Sequence, residues 1–187
     1  MKSDTDQEFE RLLAVMKRAG GALNDAGLPF VLGGGLACWA RGGPKTEHDV
    51  DFLVSPEDAE RAQQVLAEAG MRVERPPEGW LLKAYDDGVL IDLIFHPKSG
   101  PVDEETFRRA EDLEVHAMLF KVAPLEDVIV EKVLVLNEQD PDFSSVLELA
   151  RSLREQVDWD DVRERTKGSP FAQAYFTLLD ELEIVKR

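Results

Sequence analysis

Leu32-Gly33-Gly34-Gly35 and, further along, Asp49-Val50-Asp51-Phe52-Leu53-Val54 are the two segments that decide the fold. Three glycines after an apolar run let the backbone approach a bulky group, and a helix that begins there offers free N–H groups to an anion. If the second segment is a strand, both carboxylates point to one face while the apolar side chains point into the core. Two adjacent carboxylates repel each other unless a cation lies between them. These segments predict a divalent metal, Mg²⁺ or Mn²⁺, with phosphates as its further ligands.

A third carboxylate, Asp92, stands in the apolar run Leu90-Ile91-Asp92-Leu93-Ile94-Phe95. The preceding Asp86-Asp87-Gly88 is typical of a tight turn between two strands, predicted at residues 80–85 and 89–95. This hairpin would deliver Asp92 on a strand beside the one that carries the first two aspartates. Because a charged group among apolar residues is seldom left unpaired, a metal ligand is favoured over a solvated acid on an edge strand.

Taken together, these three motifs resemble the nucleotidyltransferase superfamily, which has the fold of DNA polymerase beta. The superfamily pattern is Gly-Gly or Gly-Ser after an apolar residue, then Asp-x-Asp on a strand, then a third carboxylate on a neighbouring strand. The resemblance covers residues 28–137. It is greatest to the small bacterial branch, which includes minimal nucleotidyltransferases and abortive-infection-type nucleotidyltransferase toxins.

The resemblance implies an α/β (α+β) fold: a small mixed twisted sheet flanked by helices, with a C-terminal helical extension. It implies that Asp49, Asp51 and Asp92 are the catalytic metal ligands and that Asp92 can accept the proton of an acceptor hydroxyl. The residues predicted to bind the nucleoside triphosphate are Gly33, Gly34, Gly35, Lys45 and Lys132. Other interpretations stay open: close helix packing for the glycines, an exposed loop cation for Lys45, and a lysine at the margin of a core helix for Lys132.

Three residues depart from the superfamily pattern. Lys45 stands where arginine is usual, Glu47 where a threonine is common, and Gly35 where many members have a serine that touches a phosphate. The metal ligands survive these changes, but an alternative is a catalytically weak or inactive binding module, of the kind found in toxin–antitoxin pairs. His48 is expected at the edge of the site. Its pairing with Asp49 also occurs in helical phosphohydrolases, but here the pair opens a strand.

The chain is strongly acidic, with 38 Asp and Glu against 22 Lys and Arg and a formal net charge of −16. Such a field repels nucleic acid, which favours a small-molecule or protein acceptor. A tRNA acceptor requires basic residues to converge on one face; the candidates are Arg41, Lys45, Lys83, Arg108 and Arg109. The acceptor therefore stays open among a tRNA end, a protein side chain and a small alcohol.

Length and composition predict one domain at residues 1–137 and a helical extension at residues 138–187. Cys38 is the only cysteine, which excludes an internal disulfide and a cysteine zinc cluster. No apolar run is long enough to span a bilayer, and the polar N-terminus lacks a signal-peptide pattern, so a cytoplasmic location is expected. The oligomeric state is not predicted.

Helix and strand patterns complete the prediction. Ser55 is expected to cap a helix that begins at Pro56 and runs to Ala69. Residues 113–122 are expected to form a strand that is broken near His116-Ala117. The other predicted helices lie at residues 6–26, 35–40, 103–110, 124–136, 141–153, 158–167 and 170–184, and the other strands at residues 29–32, 49–54 and 72–74.

Overall fold

A computed structural model describes residues 4–46 and 49–185 as a mixed sheet with helices packed around it. His48, expected at the edge of the site, lies outside these ranges. The described residues form seven strands: β1 Val31–Leu32, β2 Asp49–Leu53, β3 Arg72–Glu74, β4 Leu81–Asp86, β5 Val89–Ile94, β6 Glu111–Val115 and β7 Met118–Val122. They also form eight helices: α1 Asp4–Asp25, α2 Gly34–Trp39, α3 Ala59–Glu68, α4 Glu104–Arg109, α5 Leu125–Leu134, α6 Phe143–Leu153, α7 Trp159–Thr166 and α8 Pro170–Glu181.

The seven described strands form one sheet in the order β3-β4-β5-β2-β1-β7-β6. Strands β2 and β5 are parallel, as are β1 and β7, whereas the other neighbours are antiparallel. The predicted mixed α/β sheet is therefore confirmed. The two strands that carry the aspartates are direct neighbours, and Asp51 on β2 pairs in register with Asp92 on β5.

Alternation along β2 and β5 separates a core face of the sheet from a polar face. Val50 and Phe52 on β2, and Ile91 and Leu93 on β5, are fully buried. Helices α1 and α3 pack against the sheet on this side and contact β2, β4 and β5. Because side chains alternate along a strand, the three aspartates all point to the opposite face.

Two hairpins have two-residue turns of the left-handed kind that matches strand twist. The first turn is Asp87-Gly88, with φ values of 48° and 79°, as the sequence predicts. The second is His116-Ala117, with φ values of 49° and 60°. The expected break in the strand at residues 113–122 is thus a full reversal into β6 and β7, made without a glycine or asparagine to signal it.

The start of α3 differs from the prediction. The helix begins at Ala59 with Asp58 at the N-cap, so the expectation that Ser55 caps a helix starting at Pro56 is wrong. Ser55 Oγ instead accepts a hydrogen bond from the Asp58 N–H at 3.1 Å and stabilises a turn ahead of the helix. Serine side chains commonly accept such a hydrogen bond from a nearby backbone N–H. Here it closes a turn, and the helix begins only at Ala59.

The C-terminal helices pack on α5 rather than standing apart. Helices α7 and α8 contact α5, and the Tyr175 hydroxyl of α8 donates a hydrogen bond to the Val146 carbonyl of α6 at 2.9 Å. Buried side chains of these helices belong to the same hydrophobic cluster as those of the sheet. The boundary at residues 137 and 138 stays a prediction. No helix in the described part of the chain has the length and apolar character needed to cross a membrane.

Candidate active site

Asp49, Asp51 and Asp92 come together on the polar face of the sheet. One carboxylate oxygen from each lies within 4.8 Å of the others, which makes this a group of carboxylates that could hold a metal ion. The parallel pairing of β2 with β5 sets this geometry, because it places Asp92 directly beside Asp51 while Asp49 lies two residues earlier on the same face. The backbone register therefore brings these three side chains together, as the sequence predicts.

Ionising all three carboxylates of this aspartate triad (Asp49, Asp51 and Asp92) is electrostatically unfavourable without a cation. Burial, followed by repulsion from Asp49 and Asp92, raises the pKa of Asp51 to about 8, and the Lys132 ammonium opposes the rise. Burial also raises the pKa of Asp92 to about 6, against the Lys83 ammonium, which lowers it, while Asp49 adds to the rise. Two of the three carboxylates would therefore take up protons readily near neutral pH when no metal is bound.

The residues present fit a divalent cation. The donor set is three carboxylates, the hard oxygen ligands that Mg²⁺ and Mn²⁺ prefer. Asp92 Oδ1 is buried and accepts no hydrogen bond from any described residue. A buried acceptor left in this way ordinarily has a partner such as an ion or ordered water, which is the role that a metal or an incoming hydroxyl would fill here.

We expect the stabilisation by Mg²⁺ to grow as pH rises from 6 to 8.5. The pKa values of Asp51 and Asp92 are raised in the folded protein, so their contribution to the stability of the metal-free protein is full below pH 4 and is lost as pH rises through about 6 and 8. Metal binding needs both carboxylates ionised, so it competes with protons below this range. Melting temperatures with and without Mg²⁺ at both pH values test this, with Asp51→Asn as the control. An equal Mg²⁺ effect at both pH values would contradict it.

The three glycines close against the triad. The Gly33 N–H donates to the Asp51 backbone carbonyl at 2.9 Å, which ties the turn to β2. Gly34 has a φ of 55°, and a Cβ added there would lie 1.7 Å from Asp51 Oδ2. A side chain is therefore excluded at Gly34 by both the backbone conformation and the carboxylate. Gly34 therefore packs directly against a site carboxylate, a more specific contact than the general helix packing that the sequence left open.

Gly35 makes room for a neighbouring threonine. A Cβ added at Gly35 would lie 2.6 Å from Thr46 Oγ1 and 2.7 Å from Thr46 Cβ. The position of Gly35, where the resemblance leads us to expect a serine, is therefore next to the Thr46 side chain. The contact joins the start of α2 to the loop before β2, so the sequence does not predict it.

A cleft of about 670 Å³ opens beside the triad. Gly33, Gly34 and Asp51 line it, together with Trp80, which is 41% exposed. Residues 96–103 and one face of α5 also contribute to the wall, as does Arg165 of α7. The cleft thus adjoins Asp51 and has room for a ligand of nucleotide size.

The two predicted lysines have different surroundings. Lys132 on α5 lines the cleft, and its ammonium acts on the pKa of Asp51. Lys45 instead pairs with Asp6 at 2.7 Å and lies over the Phe9 ring, with its Nζ 5.3 Å from the ring centroid. The structure thus brings Lys132 close to the three aspartates. Lys45 is not among the described residues that line the cleft.

Two arginines meet in the cleft wall: Arg109, which the sequence offered only as a candidate for a tRNA-binding face, and Arg165, which had no predicted role. Arg109 at the end of α4 and Arg165 on α7 both pair with Asp127 Oδ1 on α5, at 2.7 and 2.8 Å. One turn further along α5, the Glu131 carboxylate accepts hydrogen bonds from the backbone N–H groups of Lys98 and Ser99, each at 2.9 Å. Sequence alone gives no signal for these contacts, because they depend on how α4 and α7 pack on α5.

Solved structures share this fold. The solution structure of the antibiotic-resistance factor ANT(2'')-Ia is 15% identical and aligns with a TM-score of 0.67 over 97% of this chain and 99% of that chain. Its crystal structure in complex with adenylyl-2''-tobramycin, also 15% identical, aligns at 0.65 over 87% and 98%. An antigenic nucleotidyltransferase-like protein from Paracoccidioides brasiliensis is 14% identical and aligns at 0.52 over 98% and 95%. At these identities the similarity shows a common nucleotidyltransferase-like fold.

The family follows from the sequence. The chain belongs to the family described as Uncharacterised nucleotidyltransferase, whose model matches residues 5–181. The superfamily predicted from the glycine motif and the three aspartates is therefore confirmed. No curated protein sequence matches the chain.

Proposed function

We propose that this protein transfers a nucleoside monophosphate from a nucleoside triphosphate to a hydroxyl group of a small-molecule acceptor, with Mg²⁺ or Mn²⁺ held by Asp49, Asp51 and Asp92. The observation that carries the proposal is the convergence of three carboxylates within 4.8 Å, two of them with raised pKa values, one of which, Asp51, lines a nucleotide-sized cleft. Family membership supports it, because the chain matches the nucleotidyltransferase model over nearly its whole length.

In this proposal each group of residues has a separate task. The turn at Gly33–Gly35 and the Lys132 ammonium bind the phosphates, since Gly33, Gly34 and Lys132 line the same cleft as Asp51. Asp92 accepts the proton of the acceptor hydroxyl as its oxygen bonds to the α-phosphorus and pyrophosphate leaves. A bound divalent cation would polarise the α-phosphate and offset the charge that develops there.

The surface charges favour a small acceptor over tRNA. The basic residues that could have formed a nucleic-acid groove are each paired with a carboxylate: Arg41 with Glu111, Lys45 with Asp6, Lys83 with Asp92, Arg108 with Glu105 and Arg109 with Asp127. With a formal net charge of −16, this pairing of the five candidate cations favours repulsion of a polyanion. The ANT(2'')-Ia crystal structure, of the same fold, is a complex with adenylyl-2''-tobramycin, which supports a small-molecule acceptor here.

A thermal-shift comparison of the wild type and Asp49→Asn tests the nucleotide site. We expect ATP, GTP, CTP or UTP to raise the melting temperature of the wild type only when Mg²⁺ is present. Ligand at a hundred times its dissociation constant contributes about 2.7 kcal/mol to the free energy of unfolding. The shift should disappear in Asp49→Asn, since one of the metal ligands is lost.

Asp112→Asn is the matched control, because Asp112 is an exposed acid on β6 that pairs with Lys121. It should keep the full Mg²⁺-dependent shift. If none of the four nucleotides shifts the wild type, the proposal is wrong and the chain is better described as a non-catalytic binding module of the same fold.

A further inference from the structure

A lysine continues the row of aspartates across the sheet. In the register of β4, β5 and β2, Lys83 is directly opposite Asp92, and Asp92 is directly opposite Asp51. Side chains at directly paired positions lie on the same face of a sheet, about 5 Å apart at Cβ. One face therefore carries a positive charge on one side of Asp92 and a negative charge on the other.

The lysine acts on one particular oxygen of Asp92. Lys83 Nζ lies 3.8 Å from Asp92 Oδ1, the buried oxygen that accepts no hydrogen bond from any described residue. This distance is longer than a hydrogen bond, so the two groups interact mainly through charge. The backbone under Lys83 is fixed, because its carbonyl accepts a hydrogen bond from Gln63 Nε2 of α3 at 3.1 Å.

Asp51 has different neighbours. The cation that acts on it is Lys132 on α5, and the Gly34 backbone packs against its Oδ2. Asp51 is thus enclosed between the glycine turn and the other carboxylates, whereas Asp92 is held from the side of β4. Asp51 and Asp92 are therefore not equivalent, and Lys83 contributes to the difference from the side of Asp92.

We propose that Lys83 is a positioning residue that holds the Asp92 carboxylate in the orientation in which Oδ1 is available to the acceptor hydroxyl. The inference rests on the proposed function. As the acceptor oxygen bonds to the α-phosphorus, its proton passes to Oδ1, and the bond between the α-phosphorus and the bridging oxygen breaks with its electron pair leaving on pyrophosphate. Asp49, Asp51 and Asp92 would together hold the cation.

The proposal predicts opposite effects on metal binding and on turnover. Lys83→Met removes a positive charge that repels the cation, so we expect Mn²⁺ to bind about 3- to 10-fold more tightly. Turnover should fall about 100-fold, with KM for the nucleotide changed less than about twofold, because the residue that accepts the proton is no longer held in place. A lysine that only supports the fold would leave Mn²⁺ affinity unchanged or weaken it.

Isothermal titration calorimetry of the full chain with Mn²⁺ tests the predicted change in metal affinity and needs no acceptor. Lys83→Arg should restore wild-type affinity, and Lys83→Gln repeats the loss of charge if the methionine variant folds poorly. Lys121→Met is the control, because Lys121 is a lysine on β7 that pairs with Asp112 at 3.0 Å. Unchanged or weaker binding in both Lys83→Met and Lys83→Gln would overturn the role of Lys83 alone. Absence of Mn²⁺ binding by the wild type would overturn the proposed function.

Discussion

Asp51→Asn is expected to make the metal-free protein more stable at pH 8 and to abolish nucleotidyl transfer. The carboxylate of Asp51 is buried beside two others, and burial is the main cause of its pKa of about 8. Replacing a buried group that is costly to ionise with a neutral amide of the same shape should raise the free energy of unfolding by about 1–3 kcal/mol. Loss of a metal ligand should reduce turnover by roughly 10³-fold or more.

Chemical denaturation of the metal-free proteins and activity of the metal-loaded ones measure the two halves of this expectation. Asp112→Asn, an exposed acid on β6, is the control and should change stability by less than about 0.5 kcal/mol. A metal-free Asp51→Asn variant that is less stable than the wild type would show that this carboxylate is satisfied within the fold and is not held for a cation.

Gly34→Ala is expected to disrupt the same site from the backbone side. The added methyl group would lie 1.7 Å from Asp51 Oδ2, and the φ of 55° is one that alanine adopts only with strain. Either the carboxylate moves or the start of α2 moves, so we expect a loss of about 1–3 kcal/mol in stability and of roughly 100-fold or more in activity. Mn²⁺ affinity should fall in parallel.

Gly33→Ala separates this effect from the general loss of a glycine. A Cβ at Gly33 would make only ordinary contacts, 3.5 Å from Leu53 and 3.7 Å from Asp51, and its φ of −113° suits any residue. We expect this variant to keep its stability within about 0.5 kcal/mol and to keep its Mn²⁺ affinity. If Gly34→Ala behaves like Gly33→Ala in both measurements, the close packing of the turn on Asp51 has no part in forming the site.

Much of the site could be predicted because its signals are local. Asp49 and Asp51 alternate with buried residues, and the tight turn at Asp87-Gly88 fixes the strand on which Asp92 stands. The same turn also fixes the partner of Asp92, because counting back from it along both strands pairs Lys83 with Asp92. The sequence therefore contains that register, although composition alone presents Lys83 only as one of several candidate surface cations.

Other features depend on packing between distant segments. Lys45 was predicted at the nucleotide but pairs with Asp6, because the start of α1 lies beside the loop that precedes β2. Arg109 and Arg165 reach the cleft only through the docking of α4 and α7 on α5. The spacing of residues along the chain contains no information on these approaches, so they become visible only in the folded structure.

Transfer of label from nucleoside triphosphates labelled at either the α- or the γ-phosphate tests nucleotidyl transfer most directly. The protein would be incubated with Mg²⁺, each labelled nucleotide and a panel of small polyhydroxylated acceptors, with Asp49→Asn as the inactive control. We predict that α-label moves to an acceptor while γ-label leaves in pyrophosphate, and that Asp49→Asn does neither. Transfer of γ-label to the acceptor, or transfer of α-label that survives in Asp49→Asn, would contradict the account.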